Sequence, residues 1–225
     1  MSLPKKLKTV TLPSIRNSKG VLPLLGIDFT IKSCWTDLQL KVEDKYLYVP
    51  KSHLAMVSPV FQLMFESDFK EKDLSVLPLP GKKYEDVLTF LKCTHPGALV
   101  KVTYDVVPKV LPLAHEYQVK WILEDCIKIM MMEMDTSRFV VKTKYQNYSP
   151  RIFTKEESAP FINGCKICIM AEKYDLHSVT ERFIELFTSL NYNYYKDLSE
   201  FKQISIAVRH RIVCGRLASR EDTCY

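Results

Sequence analysis

The chain has 225 residues, 47% of them hydrophobic, and a formal net charge of +6 at pH 7, which is enough apolar material for one domain or two small ones. Its apolar runs are too short and too interrupted by charge to cross a bilayer, and Met1 is followed by Lys5, Lys6 and Lys8 rather than an apolar stretch, so neither a membrane span nor a secretory leader is expected. Seven scattered cysteines, an odd number, suit buried thiols in a reducing compartment, cytoplasmic or nuclear, and the basic ends lack the interleaved aromatics of a nucleic-acid surface.

Residues 1–26 mix Lys, Pro and Ser without periodicity and read as a flexible arm. From Ile27 the pattern alternates: Ile27, Phe29 and Ile31 predict a strand, and Leu38, Leu40 and Val42 a second. Glu43-Asp44-Lys45 turns into a third strand whose inner face is either Tyr46 and Tyr48 or Leu47 and Val49. Beyond Pro50, residues 51–66 carry Leu54, Val57, Phe61, Met64 and Phe65 at spacings of three and four. The break at Ser58-Pro59 predicts two short helices, with Ser58 as N-cap and Pro59 at the first helical position. A polar connector over 66–73 leads to a strand at 75–79, and Tyr84, Val87, Leu88 and Leu91 then form the inner stripe of a helix closed by His95-Pro96-Gly97.

Thr103 and Asp105 are candidate caps for a helix running through Tyr117, in which Pro112 removes one backbone donor and predicts a kink. A further helix carries Trp121, Ile122, Cys126 and Ile129, and the pattern weakens after Met134. Residues 143–158 read as a polar loop. The last third partly repeats what precedes the loop: Leu113-Ala114-His115-Glu116-Tyr117-Gln118-Val119 is echoed by Met170-Ala171-Glu172-Lys173-Tyr174-Asp175-Leu176. Ile122, Cys126 and Ile129 then correspond to Val179, Phe183 and Leu186, so two similar helix pairs are expected. Ser178 and Glu181 form a capping box for a helix ending near Leu190, and Ile204, Val208, Ile212 and Val213 predict one more. The division is thus an arm at 1–26, a domain at 27–134, a linker at 135–158, a helical extension at 159–217 and a tail at 218–225.

Asp37-Leu38-Gln39-Leu40-Lys41-Val42, then Val49-Pro50-Lys51, then the run from Leu54 through Ser58-Pro59 to Phe65, resembles in order and spacing the start of a BTB/POZ domain. The likeness continues through Leu77-Pro78-Leu79, Val87 to Leu91, and Leu111-Pro112-Leu113-Ala114 to Cys126, covering about residues 36–132. It is similar to proteins that carry this domain alone or behind a MATH domain. The resemblance implies an α+β fold: a small three-stranded sheet with helical hairpins, followed by an all-α extension of the BACK or three-box kind. It also implies a non-enzymatic homodimer that docks an unidentified protein substrate onto a cullin ubiquitin ligase; the alternative is a self-assembling scaffold or transcriptional-complex component that binds no cullin. Pro50 stands where the family usually has His, and His95 where it commonly has Tyr.

The same resemblance assigns residues. Phe69-Lys70-Glu71 fits the family's cullin-contacting pattern, with Met64, Phe65 and His95 on the same side. An aromatic anchor beside a carboxylate suits such a contact; the competing reading is an acidic loop whose Phe tucks inward. Asp37 and Lys51 match a charged pair beside the dimer groove, against two solvated charges flanking a hairpin. Ile27, Phe29, Ile31 and Leu54 are the dimer-interface candidates, against packing within one subunit. Cys165 and Cys168 have the spacing of half a zinc site but no second pair, and no phosphate loop, nucleophile elbow or His-Glu-Xaa-Xaa-His is present, so no cofactor, metal or catalytic residue is assigned.

Overall fold

The computed structural model of the chain describes residues 27–66, 74–96, 100–145 and 155–221. The predicted arm, Phe69 and Glu71 lie outside the described residues.

Strands β1 (Leu38–Val42) and β2 (Lys45–Val49) form an antiparallel hairpin that pairs Leu38 with Val49 and Val42 with Lys45. Its two-residue turn holds Glu43 at a left-handed φ of 54°. Strand β3 (Val76–Pro78) lies parallel to β1 on its other side, giving the order β2-β1-β3. Pleating puts Leu38, Leu40 and Val42 on the inner face. Opposite them Leu47 and Val49 are buried and Tyr46 is exposed, so the aliphatic set of the two open choices is the inner one.

The strand expected at 27–31 is instead a turn. The Asp28 carboxylate accepts bonds from the Thr30 amide (2.9 Å) and hydroxyl (2.7 Å), and this local competitor draws the backbone out of the extended state. Phe29 is nonetheless fully buried, and its carbonyl accepts the Tyr48 amide at 2.8 Å.

Helices α1 (Lys51–Val57) and α2 (Pro59–Glu66) break where expected. The Ser58 hydroxyl accepts the Phe61 amide at 3.1 Å, the bond an N-cap makes. Helices α3 (Tyr84–Thr94), α4 (Val107–Glu116) and α5 (Lys120–Tyr145) complete the first unit. Neither Thr103 nor Asp105 caps α4 through its side chain; the Thr103 carbonyl takes the Val106 and Val107 amides at 2.9 and 3.0 Å. Pro108 falls in the first turn, where the missing donor costs nothing.

Helix α5 runs on to Tyr145, so residues 135–145 are helical rather than part of a loop, and α6 (Lys155–Lys173) starts before the expected 159. The stretch after Met134 contains no Gly or Pro to stop a propagating helix, and a fading apolar stripe does not itself end one. Helices α7 (His177–Ser189), α8 (Ser199–Gln203) and α9 (Ile206–Glu221) follow, with a 3₁₀ turn at Tyr192–Tyr194. The capping box does not form, because α7 already begins at His177 and the Glu181 carboxylate is held by Arg211 through two bonds of 2.6 Å. On α9, Val208 and Ile212 are buried while Val213 faces outward.

The repeated sequence is a repeated structure. Helix α4 ends with Gln118 at φ 52°, the Val119 amide bonded to the Ala114 carbonyl at 2.9 Å and the Gln118 amide to His115 at 3.3 Å. Helix α6 ends with Asp175 at φ 52°, Leu176 bonded to Ala171 at 2.9 Å and Asp175 to Glu172 at 3.4 Å. Both are Schellman closures built without glycine. Each turns the chain so that the next helix, α5 or α7, buries its own stripe: Ile122 and Cys126 in one, Val179 and Phe183 in the other.

Candidate interaction surface

Helix α1 starts with a difficulty, since Pro50 has neither an amide nor a capping side chain to offer. Asp37, just ahead of β1, supplies the carboxylate: its Oδ1 accepts the Lys51 amide at 2.7 Å, placing a negative charge at the positive end of the helix. The connection expected between Asp37 and Lys51 therefore runs from backbone amide to carboxylate. The Lys51 ammonium lies over the Phe65 ring, 5.7 Å from its centroid.

Two residues further on, about half a turn around the helix, His53 faces the opposite side of α1. Its ring centroid is 4.8 Å from that of His95, which in turn meets the edge of Phe29 at 6.0 Å. The Thr94 hydroxyl donates to the Leu91 carbonyl at 2.8 Å, so its proton is committed, and its oxygen accepts from His53 Nε2 at 3.2 Å. That assigns the proton of neutral His53 to Nε2. Burial, reinforced for His53 by the neighbouring His95, lowers the pKa of both rings below the ordinary histidine value, so both are neutral at pH 7.

The first turn of α1 thus touches the C-terminal ends of both α2 and α3. Met64 and Phe65 are half-buried, Phe65 stacks on Phe61 at 5.9 Å, and His95 closes α3. Helix α2 ends at Glu66. The result is a mixed apolar and cationic face. A separate groove of about 540 Å³ lies where α4 meets α6 and α8, lined by Pro108, Pro112, Met170 and Tyr174 among others.

Of the dimer candidates, Phe29 and Leu54 are fully buried within the chain itself. Ile27 is half-buried and Ile31 is 63% exposed. Met56 on α1 and Leu63 on α2, 86% and 61% exposed, were not singled out by sequence, because each falls off the three-and-four stripe that marks the core. His53 was missed for a different reason: nothing in sequence pairs it with a residue 42 positions away.

Cys165 and Cys168 are buried side by side on α6, and desolvation raises both thiols, Cys165 to about 12, which keeps them protonated and poor metal ligands. Among the described residues no group of three or more His, Cys, Asp or Glu side chains could hold a metal ion, and no helix is long and apolar enough to cross a membrane.

Comparison with known proteins places the resemblance on the same stretch. The BTB/POZ domain family matches residues 28–132. The chain is 28% identical over 99 residues to BTB and MATH domain-containing protein 38 of Caenorhabditis elegans, covering 44% of this chain and 25% of that protein. It is 28% identical over 99 residues to human Kelch-like protein 28, covering 44% of this chain and 17% of that protein. The matched stretch therefore spans a quarter or less of either relative.

Proposed function

Residues 28–132 are a BTB/POZ domain, a protein-interaction module, and from that premise we propose that the chain is a homodimeric substrate adaptor of a cullin ubiquitin ligase. The observation that supports this most is the convergence on the first turn of α1. Lys51 reaches Phe65 and His53 reaches His95, so the ends of α2 and α3 present one face, and Phe69-Lys70-Glu71 follows α2 in the sequence. An aromatic anchor with an adjacent carboxylate would complete that face as a docking site. Met56, Leu63 and Ile31 are among the exposed apolar side chains that could pair with a second copy. Catalysis belongs, on this reading, to enzymes recruited by the cullin, and the protein acts in the cytoplasm or nucleus.

The test is titration of the full chain with the N-terminal domain of the BTB-binding cullin, alongside a Phe69→Ala, Glu71→Ala variant matched in melting temperature and dimer mass. Binding that is lost in the variant supports the adaptor reading. Absence of binding by the folded wild-type dimer removes it.

One observation favours a second reading, a scaffold that dimerises without a cullin: the His95 ring is engaged by His53 and Phe29 rather than extended outward. Nuclear accumulation that depends on Lys5, Lys6 and Lys8 would support that alternative.

A further inference from the structure

Helix α9 packs on α7, burying Val208 and Ile212 and fixing Arg211 to Glu181. On its outer side Ile206, His210, Val213 and Leu217 follow one another at steps of four, three and four residues, which a helix of 3.6 residues per turn gathers into one stripe. Ile206 is 77% exposed, Leu217 57% and Val213 37%, so three apolar side chains of that stripe meet solvent together. Steps of four and three are the seam that one helix offers another in knobs-into-holes packing. Beside the seam lies a cleft of about 200 Å³, walled by Val213, Arg216 and Leu217 of α9 and by Asn191, Tyr192 and Asn193 at the 3₁₀ turn. A side chain from a second helix can seat there.

Charge selects the occupant. Arg209 borders the seam one turn before Val213, half-buried, and its Nε is buried with no hydrogen-bond partner among the described residues. A carboxylate brought in by a partner would satisfy that donor. On the same border Arg216 Nη1 donates to the Thr188 and Leu190 carbonyls, and among the described residues no acidic side chain lines the cleft. Residues 1–26 supply no acid either: they hold Lys5, Lys6, Lys8, Arg16 and Lys19 but neither Asp nor Glu. A second copy laid antiparallel along the seam would set Arg209 against Arg216, like charge against like. We propose that the outer face of α9 docks an acidic amphipathic helix of a partner protein, with leucine-type side chains in the seam and cleft and a carboxylate on Arg209. This surface lies outside residues 28–132, the stretch of the family match, and operates whether or not the chain binds a cullin.

The probe is a fluorescein-labelled synthetic peptide of about three heptads, with Leu at a and d, Glu at e and g, and Ala elsewhere. A second peptide carries Lys in place of every Glu. Fluorescence anisotropy against the full chain should show saturable binding of the acidic peptide, roughly tenfold or more tighter than the basic one. The double variant Val213→Ser, Leu217→Ser should abolish it, and Arg209→Gln, which keeps a donor and loses the charge, should weaken it by roughly tenfold. Val213 and Leu217 are exposed, so the circular dichroism melt of the double variant should match wild type. No saturable binding, equal affinity for the two peptides, or binding unchanged in the double variant would each overturn the site. Two other occupants would also overturn it. A fall in sedimenting mass in the double variant assigns the face to a second copy, and binding that emerges only after removal of residues 1–26 assigns it to that segment.

Discussion

The Ser58 hydroxyl donates to the Tyr117 carbonyl at 2.6 Å while accepting the Phe61 amide at 3.1 Å. One buried side chain thereby caps α2 and ties it to the end of α4, 59 residues away. Ser58→Ala removes the cap, worth about 1 kcal/mol, and leaves the Tyr117 carbonyl without that donor in a dry site, worth about 1–3 kcal/mol more. A loss of roughly 2–3 kcal/mol in urea unfolding is expected. A loss below about half a kcal/mol, the size of an ordinary surface substitution, would mean water replaces the hydroxyl.

The paired closures at Gln118 and Asp175 are each strained by a Cβ in left-handed backbone. Gln118→Gly and Asp175→Gly relieve that strain and give back part of it as unfolded-state entropy, so each should stabilise by about 0.5–1 kcal/mol. Glycine at the neighbouring helical positions Glu116 and Lys173 should destabilise instead, and denaturant midpoints of the four variants distinguish the two effects.

Gly164 in α6 presents the opposite case. A Cβ there would meet Phe187 Cε2 at 2.9 Å and Cζ at 3.0 Å, and Phe187 is buried and stacked on Phe183 at 4.0 Å. The gain of about 1 kcal/mol in helix propensity is outweighed by a clash worth about 1–3 kcal/mol. Gly164→Ala should therefore lower the melting temperature, and pairing it with Phe187→Leu should recover part of the loss.

His53 and His95 give the fold an acid sensitivity. Both pKa values lie below the ordinary 6.5 in the folded state, so the unfolded chain binds protons first as pH falls. Stability is complete above pH 6.5 and declines below it until the folded-state rings titrate. His53→Gln keeps a donor for Thr94 and cannot titrate, so combined with His95→Gln it should flatten the stability profile between about pH 6.5 and 5. Carboxylates with lowered pKa, such as Glu181 and Asp28, act in a separate window near pH 4 and below. An unchanged slope in urea midpoints measured across pH 5 to 7 would show that the ring pair carries no linkage.

What the sequence determined by itself was set by short-range physics. The period of Leu38, Leu40 and Val42, the Ser58-Pro59 break, the stripe of α3 and the echo of 113–119 in 170–176 all report on residues a few positions apart, and each appears in the fold as an element or a boundary. What only the tertiary structure decided was the pairing of polar groups distant in the chain. Local rules placed caps at Thr103, Asp105, Ser178 and Glu181; the folded chain instead caps α1 with Asp37, bonds the first amide of α3 to the Glu43 carboxylate at 3.3 Å, and commits Glu181 to Arg211. The strand expected at 27–31 failed for a related reason, because alternation alone does not weigh the Asp28–Thr30 bonds against a ladder. The interaction face divides along the same line. Phe65 and His95 could be singled out by resemblance, but their meeting across Lys51 and His53 exists only once α1 is fixed in place, since a helix has many neighbours in sequence and few in space.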